Sequence, residues 1–143
     1  MKTRIFFVDD DENIRNLMKR YLELKGYDVH VFEKARICEV DMNNKCMQEE
    51  NRICADIIIS DVHMPEVSGM EFVEHLKSCQ CKCRNIALIS GVWSLENIQK
   101  AQEINCKIFS KPFIFNDIVD WIKGCEGRTD RAQPQKVGFT DGL

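Results

Sequence analysis

Residues 4–32 read RIFFVDDDENIRNLMKRYLELKGYDVHVF. The run "RIFFV" (4–8) has the length and composition of a strand buried on both faces. Ile14, Leu17, Met18, Tyr21 and Leu22 then recur at i, i+3, i+4, i+7 and i+8, which is one face of a helix. Asp11 is placed to cap that helix and Gly26 to stop it. "YDVHVF" (27–32) alternates as a second strand would. Between the first strand and the helix stand three acids, Asp9, Asp10 and Asp11. Adjacent carboxylates repel, and each resists leaving water unless something pairs with it. They are therefore either solvated at a helix N-terminus or hold a cation.

Working outward, the strand–helix pattern continues. "DIIIS" (56–60) is a buried strand, and a loop with Pro65 and Gly69 leads to a helix carrying Phe72, Val73 and Leu76. "NIALIS" (85–90) is a strand, followed by a helix with Leu95, Ile98 and Ala101. "KIFS" (107–110) is the fifth strand, and "FNDIVDWIK" (115–123) a last helix with Ile118, Val119 and Ile122 inward. Residues 33 to about 53, around "DMNNKCMQEEN", predict a loosely patterned polar helix. The order is β-α five times over, without internal repeats. Such alternation predicts an α/β fold, a parallel sheet covered by helices on both faces. Periodicity is lost from Gly124 onward, so residues 1–124 read as one domain and 125–143 as a flexible tail or linker stub.

The bulk numbers suit this reading. A chain of 143 residues can bury a proper core, and 44% hydrophobic with 30% charged residues is ordinary for a globular protein. A net charge of −3, with no basic patch and no helix-turn-helix pattern, argues against direct nucleic-acid binding. The longest apolar runs are too short to span a bilayer. Acids cut off the N-terminal apolar run before it could serve as a secretory signal, which predicts a cytoplasmic protein.

The polar residues fall in a pattern. Asp9 and Asp10 follow strand 1, Ser60-Asp61 ends strand 3, Ser90 ends strand 4, and Lys111 follows strand 5. In a parallel sheet all these carboxyl ends lie at one edge, where open α/β sheets place their ligand site. A carboxylate cluster that stays ionised suits a hard divalent cation such as Mg²⁺. Lys111 and Ser90 can hold the oxygens of a phosphoryl group, and Asp61 is the natural nucleophile for an acyl phosphate. No general base is needed, because a carboxylate is already ionised at neutral pH.

The stretches "IFFVDDDENIRNLMKRYLELKGYDV", "DIIISDVHMPEVSGMEF", "IALISG" and "KIFSKPF" resemble, in order, the receiver domain of two-component response regulators, of the chemotaxis-regulator type. The resemblance covers residues 1 to about 124. It implies a flavodoxin-like (βα)5 doubly wound fold with strand order 2-1-3-4-5. It implies that Asp61 accepts a phosphoryl group from a sensor histidine kinase, a phosphotransfer protein or a small phosphodonor. Asp9, Asp10, Asp61 and the backbone carbonyl of His63 would bind Mg²⁺, with Mn²⁺ as a substitute. Ser90 would be the switch hydroxyl and Lys111 the phosphate-contacting lysine, its bond to Pro112 cis. The chain would be a phosphoacceptor rather than an enzyme, catalysing only its own phosphorylation and dephosphorylation. The surface read by an output protein or domain, or by a second copy in a homodimer, would be the family's helix 4, strand 5 and helix 5, here about residues 94 to 123.

There are departures. Ile108 stands where many receivers carry a mobile aromatic, and Phe109 belongs on the opposite strand face. Gly91 keeps the pocket open beside Ser90, while His63 and Val92 sit where the family tunes phosphoryl lifetime. Residues "DMNNKCMQEENRI" lengthen the connection between strands 2 and 3. A rival reading is a phosphohydrolase with a strand-1 aspartate nucleophile, but Asn13 replaces the Thr or Val it requires and no cap segment is evident. A third is a non-phosphorylated interaction module of the same fold, against which the intact acid set argues.

Eight cysteines complete the inventory, and this much apolar sequence predicts reduced thiols rather than a disulfide framework. Cys54, Cys79, Cys81, Cys83, Cys106 and Cys125 fall at the amino-terminal edge of the expected sheet, opposite the acids. They supply enough ligands for a Zn²⁺ or redox site there, although C-x-C-x-C is not the usual zinc spacing.

Overall fold

The computed structural model describes residues 2–35, 54–79 and 81–131. The chain divides into two units, Met1–Phe113 and Ile114–Leu143. The first contains β1 (Arg4–Val8), α1 (Glu12–Leu24), β2 (Asp28–Phe32), β3 (Ile57–Asp61), α2 (Gly69–Ser78), β4 (Asn85–Ser90), α3 (Leu95–Glu103) and β5 (Lys107–Ser110). All strand pairs are parallel and the order is β2-β1-β3-β4-β5, the flavodoxin-like order. The chain leaves β1 toward β2 on one side and resumes at β3 on the other. The loops after β1 and β3 therefore diverge and open a crevice at the carboxyl edge.

Strand composition explains the order. Every residue of β3 and β4 is buried, as continuous apolar runs require in the middle of a covered sheet. β2 and β5 are edge strands and stay partly exposed. Val8, Ile58, Ile86 and Leu88 join Phe72, Val73 and Leu76 of α2 and Ala101 of α3 in one core cluster. Alternation turns Ile5 and Phe7 to the other face, and α1 packs on β1 and β2 with Met18 and Leu22 buried.

Local chemistry starts the helices where the sequence changes character. The Asp11 carboxylate accepts from the Asn13 N–H at the start of α1. Ser68 and Glu71 form a reciprocal capping box on α2, and Ser94 accepts from the Asn97 N–H on α3. Gly26 follows α1 with φ +97°, a conformation that costs any other residue more.

Some expectations are corrected. β3 spans Ile57–Asp61 rather than 56–60, which keeps Asp61 at the strand end where the polar pattern puts it. Glu33–Ala35 bend instead of opening a helix, and the rest of that expected helix, 36–53, lies outside the described residues. Leu95 is 80% exposed, because α3 starts there beyond the reach of the core.

The second unit contains α4 (Phe115–Arg131). Ile118, Val119, Ile122 and Cys125 are buried at helical spacing. Cys125 continues that face past Gly124, a residue a helix interior tolerates at a cost of about 1 kcal/mol. The periodicity loss at Gly124 thus lies inside the helix. Among the described residues no helix is long and apolar enough to cross a membrane.

Candidate functional site

Asp9, Asp10 and Asp61 meet because β1 and β3 are neighbours. Val8 is in register with Ser60, so the residues that follow both come together at the carboxyl edge. One oxygen from each of the three carboxylates lies within 4.8 Å of the others. Asp9 and Asp61 are buried, at 2% and 5% exposure, while Asp10 faces solvent. Asp9 is tightly held: its Oδ1 accepts from the Asp11 N–H at 2.9 Å. Its backbone carbonyl accepts from the Arg15 guanidinium at 2.8 Å.

Lys111, just beyond β5, reaches across β4 to these acids. Its Nζ lies 3.0 Å from Asp61 Oδ1 and 3.7 Å from Asp9 Oδ2. Its backbone N–H donates to the Ser90 carbonyl at 2.8 Å, and its bond to Pro112 is cis. Sheet register and one backbone bond thus aim the lysine.

Burial and crowding set the charges. Burial, with the charges of Asp61 and Asp10, pushes the Asp9 carboxyl up to about 6 against the opposing pull of the Asp11 N–H and Lys111. Burial also pulls the Lys111 ammonium down. The hydrogen bond to Asp61 and the charges of Asp61, Asp9 and Asp10 outweigh it and hold Lys111 above the usual lysine value.

Ser90 is fully buried at the end of β4, but its hydroxyl is engaged within its own turn. Oγ donates to the Val92 carbonyl at 2.7 Å and accepts from the Val92 N–H at 3.1 Å. His63 is exposed on the loop after β3. A Cβ added at Gly91 would lie 3.9 Å from Lys111 Cβ, so this glycine borders the lysine. Ile108 packs on the core cluster, while the Phe109 ring lies under the Lys107 ammonium at 5.4 Å, in keeping with opposite strand faces.

Three features of the site escape sequence reasoning. Gly69 opens α2 against the backbone of β3, where an added Cβ would overlap the Asp61 carbonyl oxygen and lie 2.9 Å from Val62 Cα. Arg15 bonds the Asp9 carbonyl from α1. Trp93 donates its indole N–H to the Phe109 carbonyl at 3.0 Å. Only the glycine, four residues after a proline in a loop, carries any signal in the sequence.

The donor set fits a hard cation. Three carboxylates against one ammonium leave an excess of negative charge, offered through oxygens alone, which suits Mg²⁺ or Mn²⁺. The alternative of a Zn²⁺ site at the cysteine edge has no such support. Among the described residues no group of three His, Cys, Asp or Glu ligands gathers anywhere but at Asp9, Asp10 and Asp61. Burial pushes the Cys106 thiol up to about 12, whereas zinc is bound by thiolate. Cys79 lies 3.4 Å from His75 Nε2, a pair and not a cage. Cys38 and Cys46 lie outside the described residues.

Comparison with known proteins agrees with the geometry. The chain is 19% identical over 130 residues to the transcriptional regulatory protein TrcR of Mycobacterium tuberculosis, covering 91% of this chain and 48% of that protein. It is 28% identical over 126 residues to the C4-dicarboxylate transport transcriptional regulatory protein DctD of Pseudomonas aeruginosa, covering 85% of this chain and 25% of DctD. The chain thus spans half or less of the length of these relatives. A CheY-like receiver domain protein from Methanospirillum hungatei superposes with a TM-score of 0.73 at 23% identity, covering 93% of this chain and 100% of the other, and so shares the fold. The family model for the response regulator receiver domain matches residues 5–123. The chain therefore belongs to the receiver domains of two-component response regulators.

Proposed function

We propose that Asp61 accepts a phosphoryl group with the help of a divalent cation, and that this controls an output surface. The observation that carries the reading is the Lys111 ammonium 3.0 Å from Asp61 Oδ1, inside a cluster of three carboxylates. An Asp61 oxygen attacks phosphorus, forming a P–O bond. The P–N bond of a kinase phosphohistidine breaks, or the P–O bond of acetyl phosphate, and the donor leaves as imidazole or acetate. Water attack on phosphorus later restores the carboxylate and releases phosphate. Asp9, Asp10, Asp61 and the His63 carbonyl would hold Mg²⁺ or Mn²⁺, which offsets the negative charge of the transferring group. Lys111 binds a phosphoryl oxygen, and Ser90 turns its hydroxyl toward another. The chain is a signalling domain, with catalysis limited to its own phosphorylation and dephosphorylation.

A sensor histidine kinase, a phosphotransfer protein or a small phosphodonor supplies the group in the cytoplasm. The added charge of about −1.5 to −2 shifts a pre-existing equilibrium in residues 94–123, read by an output protein or domain or by a second copy of the chain. The receiver is taken to run to the end of α4 at Arg131, because the expected boundary at residue 124 falls inside that helix, whose buried face continues to Cys125. Fluoroberyllate, a phosphoryl mimic, tests the acceptor. Fluorine NMR should show saturable, Mg²⁺-dependent binding to the wild type and none to Asp61→Asn. Equal binding by the variant would reject Asp61.

A further inference from the structure

We propose that Trp93 is a positioning residue for Ser90, tying the Ser90 turn to β5 and releasing it when Asp61 is phosphorylated; this rests on the reading of Asp61 given above. The Ser90 turn is stitched to the strand that carries Lys111 at two points. Lys111 N–H donates to the Ser90 carbonyl, and the Trp93 indole N–H donates to the Phe109 carbonyl. Trp93 packs on the core cluster, as does Ile108, the residue that stands where many receivers have a mobile aromatic. Ile108 has no polar end and cannot report a movement of Ser90 by a hydrogen bond. Trp93, three residues from Ser90, can.

The constraint follows from proton counting. A serine hydroxyl has one hydrogen, and that of Ser90 is given to the Val92 carbonyl at 2.7 Å. Donating it to a phosphoryl oxygen on Asp61 breaks that bond and withdraws the acceptor of the Val92 N–H. Val92 is 72% exposed, so water can take over both backbone groups at little cost. Trp93 is the next residue, and its indole bond then holds the turn back. The turn moves only when the indole leaves the Phe109 carbonyl, and through that carbonyl the edge strand β5 registers the event.

The two indole N–H groups, Trp93 and Trp121, give separate ¹H–¹⁵N signals that Trp93→Phe assigns. On adding fluoroberyllate and Mg²⁺ to the wild type, the Trp93 indole proton should shift upfield and exchange with solvent about tenfold faster, as for one lost hydrogen bond. Trp93→Phe, which keeps the ring, should still bind the mimic, but residues 91–95 should exchange fast before it is added and change little afterwards. Binding seen by fluorine NMR with an unmoved Trp93 indole would overturn the tie and leave the phosphoacceptor reading intact. So would a Trp93→Phe protein whose 91–95 segment is protected and responds as in the wild type. A wild type that binds no mimic at all would overturn both.

Discussion

At the scale of single residues, Asp9 decides the electrostatics of the site. Its carboxyl stands at about 6, above its ordinary 3.8, chiefly because burial penalises the charge. The folded state therefore binds a proton that the unfolded chain lacks between those values. The metal-free fold gains stability from Asp9 at low pH and loses it as pH rises through about 6. Asp9→Asn keeps the oxygen that accepts from Asp11, so at pH 7 the metal-free variant should be more stable than the wild type by about 1–3 kcal/mol in urea unfolding. A less stable variant would contradict the reading. Mg²⁺ needs the ionised carboxylate, so its affinity by calorimetry should drop by about tenfold per pH unit below about 6. A pH-independent affinity would remove Asp9 from the ligands. Asp9, Asp10, Asp61 and Lys111 were legible in the sequence because strand ends fix where they lie. The bond of Ser90 to Val92 was not, since it depends on the course of one turn.

At the scale of elements, α2 must start against the end of β3. Gly69 permits this approach, its N–H donating to the Val62 carbonyl at 2.8 Å. Gly69→Ala would drive a methyl into the Asp61 backbone, and neither strand nor helix can yield without shifting the acceptor. The variant should lose at least about 2 kcal/mol of stability by denaturant unfolding; a neutral substitution would show that α2 moves freely. Ser68→Ala removes a cap and should cost about 1 kcal/mol, a smaller loss on the same assay. The elements themselves were legible because apolar periodicity separates strand from helix. Contacts between elements were not: Gly69 is eight residues beyond Asp61, and its role appears only when α2 docks. Leu95 misled for a related reason, since periodicity marks a face but not how far the core extends along it.

At the scale of the molecule, β-α alternation and chain order dictate a sheet whose carboxyl edge gathers residues about 100 positions apart. The fold was therefore legible almost entirely, down to strand order once the family resemblance was included. The cysteine edge was overread, because topology brings residues to an edge without aiming their side chains at one another. A cation that binds only the folded state must stabilise it, by about 1.4 kcal/mol at ten times its dissociation constant. Mg²⁺ should accordingly raise the melting temperature by a few degrees in the wild type but not in Asp9→Asn combined with Asp10→Asn, and an equal rise in both would place the ion elsewhere. The most direct test is intact mass after incubation with acetyl phosphate, with and without Mg²⁺, for the wild type and Asp61→Asn. The wild type should gain one phosphoryl group only with Mg²⁺, and the variant none. A gain by Asp61→Asn equal to that of the wild type, or no gain by either protein, would contradict phosphoryl acceptance at Asp61.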